Sequence, residues 1–417
     1  MRTTLTLATF LLCGACRSEV APAAESYLFV WAGDSAGTSS DFLAVLDATP
    51  ASPTYGAVVA SLPTGVSGSH PHHTEAEMPA SGHLLANGFH AGRTWLFDLS
   101  TPRTPRVLTS FGDLAGFSHP HSFLRLANGH VLATFQYRAG STPEMPSVEH
   151  GAMSMGGSHT TGGLVEIDER GNVLRSGSAE DPRIPDRRIY PYSALAMSNV
   201  DRVVSTTTDM DAQDTVATSE WVQFWRLSDL TLLQSVALPP GPRGDEHRFS
   251  GEPRLLPDGR SVYIHTFNCG LYLLKGVERE HPVATFVKSF PGKNCGVPVL
   301  TGQYWLQTVP ETHALVSVDI SDPEHPRDVA SLSFGDDEEP HWIAIDGRGT
   351  RVVLNSASSA GGNRLFLINF DPKTGALALD ERFRDAGATR AGVRFAGKTW
   401  PHGFAGTASP HGTVFSR

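Results

Sequence analysis

In the 417-residue chain, four of the seven prolines that stand at the start of a strand-like run are followed by histidine: Pro71-His72, Pro120-His121, Pro340-His341 and Pro401-His402. Neutral imidazole is the commonest protein ligand for copper, zinc, iron and nickel. Three or four such rings converging on an open coordination position make a reactive centre, whereas a thiolate-closed site is structural. A single Pro-His pair is an ordinary turn feature, so the repetition carries the reading. His73 doubles the first position, although strand alternation would turn His72 and His73 to opposite faces. Glu75 and Glu77 follow closely in His-His-Thr-Glu-Ala-Glu-Met. Glu75 is the candidate catalytic residue, as a partner for a ligating histidine or as a proton acceptor.

Two further features bear on chemistry. Cys269 and Cys295 each sit in an Asn-Cys-Gly triplet, and loop cysteines in an oxidising compartment pair more often than they act as nucleophiles. Free or metal-binding thiols are the alternative. The segment from Arg138 to Thr161 holds Met145, His150, Met153, Met155 and His159. Thioether with imidazole favours Cu(I), and a plain Gly/Ser-rich lid is the competing reading.

Residues so far apart meet only if a repeating element brings them together. The chain shows short Val/Leu/Phe/Tyr runs separated by Asn-Gly, Asp-Gly and Gly-Gly turns, with almost no helical periodicity. One unit reads Ser122–Ala127, the turn Asn128-Gly129, His130–Phe135, Gly163–Asp168 and Asn172–Arg175. The order recurs at Glu252–Phe290 and His341–Phe383. Four short antiparallel strands per 40 to 50 residues are the signature of a propeller blade. A proline marks the start of each first strand, at Pro71, Pro120, Pro191, Pro253, Pro298, Pro340 and Pro401. The residues after them are spaced 49, 71, 62, 45, 42 and 61 apart. Proline is tolerated at strand starts and edges, so seven marks predict an all-β, seven-bladed propeller. Strands Tyr27–Trp31, Phe42–Leu46 and Gly56–Leu62 lack a first strand and are predicted to combine with the C-terminal end, closing the ring. Equivalent first-strand positions then face one central channel, where His72, His73, His121, His341 and His402 are the candidate metal ligands.

The composition supports a folded, turn-rich domain over residues 26–417: 41 Gly, 29 Pro, 18 % charged residues and net charge −10. No basic block is present, which argues against nucleic-acid binding. Residues 1–25 read as an export signal, with Arg2 ahead of the apolar run Leu5–Leu12. Leu12-Cys13-Gly14-Ala15-Cys16 approximates a lipobox that would lipidate Cys16, and cleavage near Ala21-Pro22-Ala23 is the alternative. Either places the protein outside the cytoplasm, in the periplasm or lipid-anchored to the cell envelope, and the anchor would be its sole membrane contact.

These motifs, taken in order, resemble the selenium-binding protein family, which includes bacterial methanethiol oxidases. Tyr27–Val30 with Phe42–Asp47 looks like the family's opening strands, and Pro71-His72-His73 its His-His pair. Pro120-His121 with Leu126–Gly129, Gly162–Asp168, Ile320–Pro323 and Pro401-His402 continue the match. The resemblance implies a seven-bladed propeller with histidine-bound copper that oxidises methanethiol with O2 to formaldehyde, hydrogen sulfide and hydrogen peroxide. It carries the ligand role to His72, His73, His121 and His402, while His341 rests on the proline pattern alone. Where the family has a cysteine after the His-His pair, this chain has Glu75–Met78, so selenium binding through that thiol is not supported. The second motif's second histidine is Leu124 here. The expected function is that of an exported copper oxidase of a small thiol, with iron or another transition metal as the metal alternative. A non-catalytic propeller that binds metal, ligand or partner protein is the rival reading.

Overall fold

The computed structural model describes residues 25–140, 160–185, 187–210 and 219–417. The expected export signal with Cys16, and Met145, His150, Met153, Met155 and His159 between Arg138 and Thr161, lie outside the described residues. The described chain is almost wholly β, interrupted by two single-turn 3₁₀ segments, Ser198–Val200 and Pro310–Thr312.

Seven antiparallel sheets of four or five strands form seven blades around a channel. Their inner strands are Pro71–Thr74 (blade 1), Phe117–Arg125 (blade 2), Pro191–Met197 (blade 3), Ser250–Leu255 (blade 4), Val299–Thr301 (blade 5), Pro340–Ile345 (blade 6) and Ala408–Phe415 (blade 7). Blade 7 joins the chain ends: Tyr27–Asp34, Ser40–Asp47 and Val58–Ser67 lie outside Ala408–Phe415, with Leu28 opposite Phe415 and Val30 opposite Thr413. This is the predicted closure.

Strand periodicity explains how the ring holds. Along Tyr27–Asp34, Leu28, Val30 and Ala32 pack towards blade 6, against Val353 and Leu365. Tyr27, Phe29 and Trp31 pack the other way, against Leu84 and Trp95 of blade 1. Both faces of a blade are therefore buried, so its middle strands read as nearly continuous apolar runs. The same interleaving recurs at every blade junction.

One mark is placed differently from the sequence expectation. Pro401-His402 sits in the turn between Lys398–Thr399 and Ala405–Gly406, not on an inner strand. The inner strand of blade 7 carries a second Pro-His-Gly triplet, Pro410-His411-Gly412, paired through Pro410 to Ala32. Which triplet closes the ring was decided by pairing with the distant N-terminal strand.

Candidate metal centre

A shared backbone device aims the histidines. Register shifts immediately follow Pro71, Pro120, Pro191, Ser250 and Pro340, and a matching one lies between Pro410 and Thr413. Each is a bulge, which releases its residues from strict alternation and re-aims their side chains. This corrects the expectation that His72 and His73 face apart. Both rings enter the channel, 4.6 Å centroid to centroid and near-parallel, and each packs on His121 at 4.9 and 4.3 Å.

The bulges expose backbone N–H groups that second-strand side chains accept. Asn87 Oδ1 accepts from His73 N–H (2.6 Å), Thr134 Oγ1 from Ser122 N–H (3.0 Å) and Asn355 Oδ1 from Trp342 N–H (2.7 Å). The same side chains donate onward to the next blade: Asn87 Nδ2 to the Pro120 carbonyl, Thr134 Oγ1 to that of Tyr192, Asn355 Nδ2 to those of Pro410 and His411. These bonds lock each bulge to its neighbour and fix the rings relative to one another.

The equivalent bulge position carries His72, His121, Tyr192, Gly251, His341 and His411 in blades 1, 2, 3, 4, 6 and 7. His72, His73 and His121 are buried, with ligand nitrogens all within 4.8 Å of one another. Ligands bound at ~2.1 Å to a tetrahedral or trigonal ion stand ~3.4–3.6 Å apart, so the three need close by at most about 1.4 Å around an ion. His341 Nε2 and His411 Nε2 are 3.1 Å apart, about the separation of two neighbouring ligands on a tetrahedral ion. The His411 ring stacks on His72 at 4.3 Å, linking the pair to the triad. Gly412 permits this approach, since a Cβ there would meet the His72 carbonyl oxygen at 2.8 Å.

Hydrogen bonds set the tautomers. A carbonyl can only accept, so His121 Nδ1–H donates to Tyr192 O (2.7 Å) and leaves a lone pair on Nε2. That Nε2, like His72 Nδ1, is buried without a hydrogen-bond partner among the described residues. His411 Nδ1–H likewise donates to the His72 carbonyl (2.8 Å), leaving Nε2 as an acceptor. Burial, with the neighbouring imidazoles, pushes the pKa of His72, His73 and His411 well below the usual histidine range, and burial brings His121 and His341 to about 4. Five neutral rings, two of them with an unpartnered buried nitrogen, suit a transition metal that prefers imidazole nitrogen.

His402 is not among them. Its ring packs on Phe42, and its Nδ1 meets Ser61 Oγ at 2.6 Å on the outermost strand of blade 7. Glu75 is also placed elsewhere. Arg125 grips both its oxygens (2.8 and 3.0 Å) and the Leu85 amide donates to one of them, tying blade 1 to blade 2. No histidine of the cluster is among its hydrogen-bond partners.

The carboxylate beside them is Glu252, on the blade 4 bulge. Its Oε1 lies 3.9 Å from His73 Nδ1, while Ser193 Oγ (2.7 Å) and Arg254 Nη1 (2.8 Å) donate to its other oxygen. Burial opposes charge there, but Arg254 holds the carboxyl below its usual pKa. The Tyr192 hydroxyl stands 3.0 Å from His73 Nε2. Tyr192 carried a proline mark in the sequence. Glu252 carried none, because in blade 4 Ser250 takes the place of the proline at the bulge and the proline stands three residues after it, at Pro253. Beside this cluster opens a cavity of about 350 Å³ whose wall includes His72, His341, Tyr192, Phe249 and Phe267. The Cys269–Cys295 disulfide, with Cα atoms 5.1 Å apart, joins the two turns that contribute Asn268 and Asn294 to that wall.

No protein-family profile matches the chain. Methanethiol oxidase from Hyphomicrobium sp. is 33 % identical over 107 residues, about a quarter of the length of either protein. In fold, the chain matches a hypothetical selenium-binding protein from Sulfolobus tokodaii with a TM-score of 0.72 and 16 % identity, over 94 % of both chains. A periplasmic gluconolactonase from Pseudomonas aeruginosa follows with a TM-score of 0.60 and 14 % identity, over 94 % of this chain and 99 % of that one. The matched segment and the seven-bladed architecture together support a divergent relative of the selenium-binding protein and methanethiol oxidase family.

Proposed function

We propose that the protein is an exported, copper-dependent oxidase of small thiols, forming an aldehyde, hydrogen sulfide and hydrogen peroxide from thiol, O2 and water. The observation that carries this reading is the convergence of His72, His73, His121, His341 and His411 beside a cavity, with two ring nitrogens buried and unpaired. Copper, when bound, supplies the redox coupling between thiol and O2. The protein's own part is positioning. The Tyr192 carbonyl holds His121 in the ligating tautomer, and the His72 carbonyl does the same for His411. Glu252, kept ionised by Arg254, favours the proton of His73 on Nδ1 and so leaves the lone pair on Nε2, beside the Tyr192 hydroxyl. The cavity beside His72 and His341 gives the thiol a place to leave water. Export accords with the Cys269–Cys295 bridge.

The test is metal analysis of protein purified from its native compartment, together with methanethiol-dependent O2 uptake and assays for sulfide and peroxide. Stoichiometric copper with balanced products is expected; protein without metal or turnover returns the non-catalytic reading. Lipidation at Cys16 is checked by mass spectrometry of the mature N-terminus, where a free amine at Ala24 or Glu25 would exclude it.

A further inference from the structure

The cavity is much larger than a one-carbon thiol needs. At about 30 Å³ per water, roughly a dozen waters fill its 350 Å³. Methanethiol, one carbon and one sulfur, would leave most of that space wet. The volume falls instead at the lower end of pockets that enclose ligands of drug size.

The walls state what would fill it. His72 and His341 stand at the metal-cluster side. Beyond them Tyr192 and Phe267 meet edge to face at 5.2 Å and Phe249 adds a third ring, while Asp209, Lys293, Asn268 and Asn294 bring polar groups to the same wall. The wall is braced. The Phe267 carbonyl accepts the backbone N–H groups of Asn294 (2.6 Å) and Cys295 (2.8 Å), and the Cys269–Cys295 bond ties the same two turns. A pre-formed aromatic wall gains from an apolar ligand body without an ordering cost.

Building on the oxidase reading, we infer that the preferred substrate is a primary thiol with an apolar body of several carbons, from butyl to benzyl, its sulfur directed at the histidines. The reaction balances with one thiol, one O2 and one water giving one aldehyde, one hydrogen sulfide and one hydrogen peroxide. The carbon–sulfur bond breaks and the carbon takes the water oxygen as its carbonyl. The carbon loses two electrons and O2 gains them. Each methylene that enters the cavity tightens binding roughly three- to fourfold.

The test uses the metal-loaded protein. Dimethyl sulfide and benzyl methyl sulfide, which carry no thiol hydrogen, report binding alone by calorimetry, and methanethiol and phenylmethanethiol report turnover by O2 uptake. Benzyl methyl sulfide should bind at least tenfold more tightly than dimethyl sulfide, and phenylmethanethiol should show a KM at least tenfold below that of methanethiol. Phe267→Ala should abolish most of the binding preference and Phe267→Leu part of it, with circular dichroism unchanged. Equal binding of the two sulfides, or a preference unmoved in both variants, overturns the inference. So does a lower KM for methanethiol, which would leave the oxidase reading standing. A sulfide preference without O2 uptake from any thiol would do the reverse: the ligand class would stand and the oxidase reading would fall.

Discussion

Two arcs of the same ring use one backbone device for opposite ends. In blades 1, 2, 6 and 7 the bulged position carries His72, His121, His341 and His411, and the channel there is packed with imidazoles. In blades 3 and 4 that position carries Tyr192 and Gly251, and the cavity opens on this side. Gly251 is required because a Cβ there would meet His265 Cε1 at 2.2 Å. The bulge fixes where a side chain is aimed. The residue placed on it decides whether the arc presents imidazole nitrogens or leaves room for a ligand.

Emptying the histidine arc should have the largest effect. His121→Ala is expected to lower copper affinity on the order of a hundredfold or more and to abolish thiol-dependent O2 uptake, with the β spectrum intact because blade junctions hold the fold. His411→Ala should lose at least tenfold in affinity, whereas His402→Ala should stay within twofold; metal titration of the purified variants separates the two Pro-His triplets. A His402 variant that lost the metal would return the centre to the sequence expectation.

The join between the arcs is Glu252, which faces His73 from blade 4. Glu252→Gln leaves Arg254 without its buried counter-charge and should cost about 3–5 kcal/mol in urea unfolding. Copper affinity should fall about tenfold as His73 loses its partner.

The two arcs should also separate by pH. His121 and His341 sit near pKa 4 when folded, against 6.5 unfolded. Between those values the unfolded chain binds more protons, so stability of the metal-free protein must fall as pH drops from about 6.5 towards 4. Each of the two contributes about 3 kcal/mol over that window. Thermal melts from pH 7 to 4.5 should show the decline, and copper should hold it off because bound rings resist protonation. A flat profile would mean that the rings are already solvated. The smallest effect should come from Tyr192→Phe, which removes one hydroxyl from His73 Nε2 and should change copper affinity by about 1 kcal/mol.

Repetition is what made the fold legible in the sequence. Turn dipeptides, strand-length apolar runs and proline marks recur because each blade solves the same local problem, and the unmatched N-terminal strands announced the closing blade. His72, His121 and His341 were legible for the same reason, since each stands behind a proline at a strand start. Tertiary structure decided the rest. His411 rather than His402 enters the channel because pairing with Tyr27–Asp34, nearly 400 residues away, selects the second of two equal triplets. His72 and His73 share a face because a bulge, invisible to a period of two, is pinned by Asn87 from the neighbouring strand. Glu252 replaces Glu75 beside the rings because Arg125 captures Glu75 across one blade junction while ring closure carries blade 4 to His73. Local sequence can specify a strand and its turn, but which side chains meet across a closed ring depends on register and closure, which only distant pairing sets.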